Sequence, residues 1–99
     1  MFAVFPYITP FDFEGPVSSG ETVQLACLVT KGDPPLSIKW FFNGEPLIPH
    51  LGAITGMFGQ KTSILSINSV KQINRGRYTC LATNEAGTAS YSADLRVNG

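Results

Sequence analysis

Hydrolytic or transfer chemistry needs a nucleophile held beside a base, and the one histidine, His50, sits in a proline-bearing loop. It reads as an exposed loop residue. The seven acidic residues stand singly, so neither a paired-carboxylate site nor a calcium cage is signalled. Cys27 and Cys80 lie 53 positions apart, which is no metal-ligand spacing. Their remaining chemistry is oxidation to a disulfide, with two free thiols as the alternative. The sequence therefore predicts no enzyme, no metal, no cofactor and no small-molecule substrate.

Ninety-nine residues make one domain, 1–99, large enough to bury a core yet small enough to gain from a covalent staple. Lys+Arg and Asp+Glu balance at seven each. A neutral chain lacks the basic patch that nucleic acid or an anionic membrane surface rewards. No apolar run approaches the roughly 20 residues of a spanning helix. The start, Met1-Phe-Ala-Val-Phe-Pro-Tyr, lacks the features of a signal peptide. Met1 reads as a start residue added to an excised domain, which leaves secretion open.

The elements around the cysteines are short, alternating and bounded by turn signals. Residues 4–9 are extended, with Pro6 and Pro10 marking an edge; Phe11 and Phe13 could cap the core; 17–19 is a second edge piece. In 22–30, Val23, Leu25, Cys27 and Val29 share one face, and Gln24, Ala26 and Leu28 the other. In 36–42, Ile38, Trp40 and Phe42 point in, and Lys39 and Phe41 out. Asn43-Gly44 is a strong hairpin signal. Strands are expected at 45–47, 53–58 and 62–68, with Leu65 and Ile67 inward and Ile64 and Ser66 outward. After a crossover holding at most one helical turn, 76–83 carries Tyr78, Cys80 and Ala82 inward. Asn84-Glu85-Ala86-Gly87 turns into a last strand with Ala89, Tyr91, Ala93, Leu95 and Val97 on the core face. Lys31-Gly32-Asp33 is similar to a short integrin-binding tripeptide, but reads here as a turn.

Two cysteines on different strands, a tryptophan between them and a tyrosine two residues before the second form the signature of an immunoglobulin sandwich. The expected fold is all-β, with two antiparallel sheets joined by Cys27–Cys80 and a core of Trp40, Tyr78, Leu65 and Ile67. Such a bridge places the domain in an oxidising compartment, outside the cell. Leu65-Ser66-Ile67, Gly76-Arg77-Tyr78-Thr79-Cys80 and Asn84-Glu85-Ala86-Gly87 resemble the I-set class. That class usually has Asp at the place of Asn74, where it forms a salt bridge across the bottom of the sandwich; Asn74 can hydrogen-bond instead.

Ile8-Thr9-Pro10-Phe11-Asp12-Phe13, Gly32-Asp33-Pro34-Pro35-Leu36-Ser37-Ile38-Lys39-Trp40 and Thr62-Ser63-Ile64-Leu65-Ser66-Ile67 resemble the arthropod Dscam cell-adhesion family. The likeness is to its variable seventh immunoglobulin domain, or to the first domain of the shortened chelicerate forms. It implies the extracellular part of a plasma-membrane protein and neighbouring immunoglobulin domains in the same chain. It also implies pairing with an identical copy on an opposing membrane, through the A-B-E-D sheet. Alternative splicing or gene copies vary that surface, a device for self-recognition in neuronal wiring.

The residues weigh the same way. The face expected to show Tyr7, Thr9, Gln24, Ala26, Leu28, Ile64 and Ser66, with Met57 or Phe58, has fewer charges and more aliphatic area than the other. No Asn-x-Ser/Thr sequon occurs, so both faces are free of N-glycan. The alternatives are a structural spacer, or a heterophilic receptor domain using Phe41 and Leu81 on the G-F-C face.

Overall fold

The computed structural model describes residues 4–48 and 51–98. The loop expected around Pro49 and His50 lies partly outside the described residues, as does Met1. Ten strands follow in order: β1 Tyr7–Ile8, β2 Val17–Ser18, β3 Val23–Lys31, β4 Ser37–Phe42, β5 Glu45–Pro46, β6 Ala53–Phe58, β7 Thr62–Ile67, β8 Gly76–Asn84, β9 Gly87–Leu95 and β10 Val97–Asn98. A 3-10 turn, Gln72–Asn74, precedes β8.

The strands form two antiparallel four-stranded sheets, β1-β3-β7-β6 and β5-β4-β8-β9, and one parallel pair, β2 with β10. This is the expected all-β sandwich, with bounds within a residue or so for the long strands. The Asn43-Gly44 turn has φ of +51° and +86°, the left-handed pair that a tight hairpin requires. The first strand is far shorter than 4–9, because Pro6 and Pro10 confine ladder pairing. The last strand breaks at Arg96, after which Val97 turns to pair with Val17.

Residues 9–16 cross from one sheet to the other, and their aromatics fill the open side. Phe13 is buried with its ring 5.8 Å from that of Tyr78, and Phe11 lies 5.8 Å from Trp40 and 5.0 Å from Tyr91. Leu65, Ile67, Tyr78 and Trp40 sit in the core as expected. Cys27 and Cys80 are both fully buried and bridge β3 to β8 across the sheets, with their Cα atoms 6.4 Å apart. Trp40 pairs directly with Cys80 on β4–β8, and its Nε1 donates to Ser63 Oγ at 2.9 Å.

One side chain departs from the alternation. Tyr91 stands opposite Cys80 on the inward row, yet it is 36% exposed, because β9 is the edge strand of its sheet; the Phe11 ring packs against it at 5.0 Å.

At the base, the Tyr78 hydroxyl donates to the Asn74 carbonyl at 2.7 Å. The Asn74 amide donates to the Leu51 carbonyl and its Oδ1 accepts from the Lys71 N–H. The neutral side-chain amide thus satisfies two partners and the Asn74 backbone carbonyl a third, where the charged residue of the class would seek a cation. Burial pushes the Tyr78 phenol up to about 12. The stability it holds is whole below its unfolded value near 10 and is lost as pH rises through about 12. Two units correspond to about 3 kcal/mol at most. Denaturant titrations across that range should show this alkaline loss in the parent, and Tyr78→Phe should flatten it; an unchanged slope would contradict the assignment.

Candidate functional site

No group of three or more His, Cys, Asp or Glu side chains gathers among the described residues. Asp33, of the Lys31-Gly32-Asp33 turn, spends its carboxylate on the Val4 N–H at 2.8 Å, so it serves the turn rather than offering a free ligand. Every buried side-chain nitrogen and oxygen among the described residues has a hydrogen-bond partner. What remains is surface, and the two sheet faces differ in kind.

The outer face of β4-β8-β9 is a ladder of satisfied polar pairs. Arg77 meets Asp94 at 3.0 Å, Thr79 meets Ser92 at 2.7 Å, and Thr83 meets Thr88 at 3.2 Å. The Arg77 hydrogen bond holds the Asp94 carboxyl below its ordinary range. An exposed pair of this kind contributes little stability. Phe41 and Leu81 lie here, half-buried among hydroxyls and Lys39.

The central rows of the outer face of β1-β3-β7-β6 carry no charge, and Lys31, opposite Tyr7, stands at their margin. Register builds the face as three cross-strand rows: Gln24–Ser66–Ile54, Ala26–Ile64–Gly56 and Leu28–Thr62–Phe58. Directly opposed residues of this kind have Cβ atoms about 4.5–5.5 Å apart, so each row is a contact. Ile54 is 65% exposed, Phe58 72% and Leu28 39%. The middle row sets Ile64 between the two smallest side positions, Ala26 and Gly56, a ridge flanked by hollows. Exposed Tyr7 and half-buried Thr9 extend the face, with Thr9 Oγ1 donating to Thr30 Oγ1 at 3.4 Å.

The structure places Tyr7, Thr9, Gln24, Ala26, Leu28, Ile64 and Ser66 on this face, and of the alternatives Met57 and Phe58 it places Phe58 there. Met57 is not there. It pairs with Ser63 on the inward row and stands at the open side of the sandwich, half exposed, beside a hollow lined by Trp40, Phe41 and Leu47. The outer row of β6 is Ile54, Gly56 and Phe58. Ile54 is the residue that sequence reasoning missed; counting alternation outward from Ala53 would have found it.

The immunoglobulin-domain family matches residues 6–84. The cell adhesion molecule Dscam1 of Drosophila melanogaster is 40% identical over 95 residues, covering 94% of this chain and 5% of its own length. The crystal structure of the Dscam1 Ig7 domain, isoform 5, superposes with a TM-score of 0.92 at 41% identity, covering 96% of this chain and 98% of that one. An I-band fragment of titin gives 0.82 at 29% identity, over 98% of this chain and 33% of the fragment. The chain thus spans about a twentieth of the length of the curated relative it matches.

Proposed function

We propose that this chain, which belongs to the immunoglobulin-domain family and is similar to the Dscam adhesion molecules, is a homophilic recognition module that pairs with its own copy through the outer face of β1-β3-β7-β6. Its relatives are immunoglobulin domains of adhesion molecules, and it is not an enzyme.

One observation carries the reading: the three central rows of this face are uncharged and keep Ile54, Phe58 and Leu28 in solvent, while the opposite face is polar and internally satisfied. A contiguous apolar patch without charge is the composition of an interface core. Self-pairing adds a second demand, since each residue must tolerate its own twofold mate. Neutrality meets it, and so does the middle row, where Ile64 of one copy can seat in the Ala26 or Gly56 hollow of the other. The domain sits on this reading in the extracellular part of a membrane protein, between further immunoglobulin domains. Residues of the three rows that differ between variant copies then decide which copies pair.

Beads coated with the domain test the assignment. Parent beads should aggregate with each other. Leu28→Glu or Ile64→Asp should abolish this while the melting temperature holds, and Leu81→Glu on the other face should leave it intact. If Leu81→Glu abolishes aggregation and Leu28→Glu does not, the domain works through the β4-β8-β9 face instead.

A further inference from the structure

We propose that the free edge of β6 is a second self-association site, where β6 of another copy adds antiparallel about a twofold axis through Gly56. The edge shares Ile54, Gly56 and Phe58 with the outer face but engages another copy through the strand's free backbone groups, and the proposal does not depend on face-to-face pairing.

An edge strand presents unpaired N–H and C=O groups to any extended chain, and folded proteins blunt such edges by shortness, proline, charge or cover. Here β1 is two residues long between Pro6 and Pro10, and β5 is two residues ending in Pro46. β9 bears Asp94, Phe11 packs on its Tyr91 ring, and just beyond it the Arg96 carbonyl is taken by the Val17 N–H. β6 has none of these devices. It runs six residues, Ala53–Phe58, without proline or charge, with residues 54–58 all exposed, and among the described residues it pairs only with β7.

A second copy suits this edge, because residues 54–58 are exposed and carry no charge that would oppose its own mate, and they pair completely about their middle residue. Opposed residues of an antiparallel pair point to the same face of the sheet. A self-pair must then match outward residues with outward ones and inward with inward. Centring on Gly56 does this: Ile54 meets Phe58 of the second copy on the outer face, and Thr55 meets its Met57 on the inner side. Gly56 meets only itself, where the absence of a side chain lets the strands close. On the inner side, a hollow of about 550 Å³ opens between β6 and β4, lined by Trp40, Phe41, Pro46, Leu47, Thr55 and Met57. The second copy's Met57, opposite Thr55, stands at its mouth, and an unbranched thioether suits an irregular gap. The two hollows are filled reciprocally, and no charge opposes its own mate.

A disulfide trap on the inner row tests this, because Thr55 and Met57 point away from the outer face and cannot report on pairing there. T55C and M57C, each purified with the native bridge intact, are mixed under mild oxidation and read on non-reducing gels. Opposed Cα atoms lie about 4.5–5.5 Å apart, within disulfide reach, whereas each residue's own mate is two positions along the strand and out of reach. The mixture should therefore form linked dimer at least about tenfold faster than either variant alone, the gain that held proximity gives over collision. Adding Leu28→Glu to both should leave this ratio unchanged. A Cβ at Gly56 meets nothing within 4 Å, so Gly56→Lys folds and should remove the trap by placing two charges on the axis. Equal rates for mixed and single variants would overturn the proposal, and so would a trap that vanishes with Leu28→Glu.

Discussion

Trp40→Ala is expected to lower the stability of this domain by about 3–5 kcal/mol. The indole is 7% exposed, lies opposite Cys80 on the neighbouring strand, and has the Phe11 ring 5.8 Å away. Truncation therefore leaves a cavity at the centre of the sandwich that fixed sheets on both sides cannot close. It also strips the buried Ser63 hydroxyl of its donor, a further cost of about 1–3 kcal/mol if nothing replaces it. Marginal domains hold only about 5–15 kcal/mol in all. A denaturant titration should show the midpoint collapse, with Ser63→Ala alone losing far less. A Trp40→Ala variant that melts like the parent would mean that the core is misassigned.

The second large effect is expected from the double variant Cys27→Ala/Cys80→Ala. The bridge closes a loop of 53 residues, for which the chain-entropy account gives about 4 kcal/mol. Loss of packing at two fully buried positions adds to this. Because both sulfurs are sealed from solvent, reductant should act only as fast as the domain opens. Loss of the bridge in mild reductant should then track the unfolding rate. Rapid reduction of the folded domain, or a double variant with the parent's midpoint, would contradict the assignment.

What the sequence made legible is the part governed by alternation from a fixed point. With Cys27 inward, Ala26 and Leu28 are outward, and the partner strand inherits the phase, so Ile64 and Ser66 follow. β6 lacked such an anchor. Ala53-Ile54-Thr55-Gly56-Met57-Phe58 has apolar residues on both parities, and an edge strand with nearly every residue exposed gives no amphipathic signal. That is why the sequence leaves the outward residue open between Met57 and Phe58 and gives no sign of Ile54. Tyr91 failed for a related reason: alternation reports which side a residue points to, not whether anything covers it. The parallel contact of Val17 with Val97 joins residues far apart in sequence over two pairs only, and no local pattern announces so short a pairing.

The central claim is that the outer face of β1-β3-β7-β6 binds its own copy. Sedimentation equilibrium over a concentration series tests it most directly. A standard interface buries roughly 800 Å² per partner, but area does not set affinity, and adhesion tolerates a weak single domain because several in series add avidity. Pairing through this face should give a monomer–dimer equilibrium with a dissociation constant in the micromolar range, about −8 kcal/mol, that Leu28→Glu or Ile64→Asp weakens without unfolding, leaving only the association that the β6 edge supports. A parent domain that remains monomeric at about 100 μM, roughly a hundred times that constant's lower end, would contradict it.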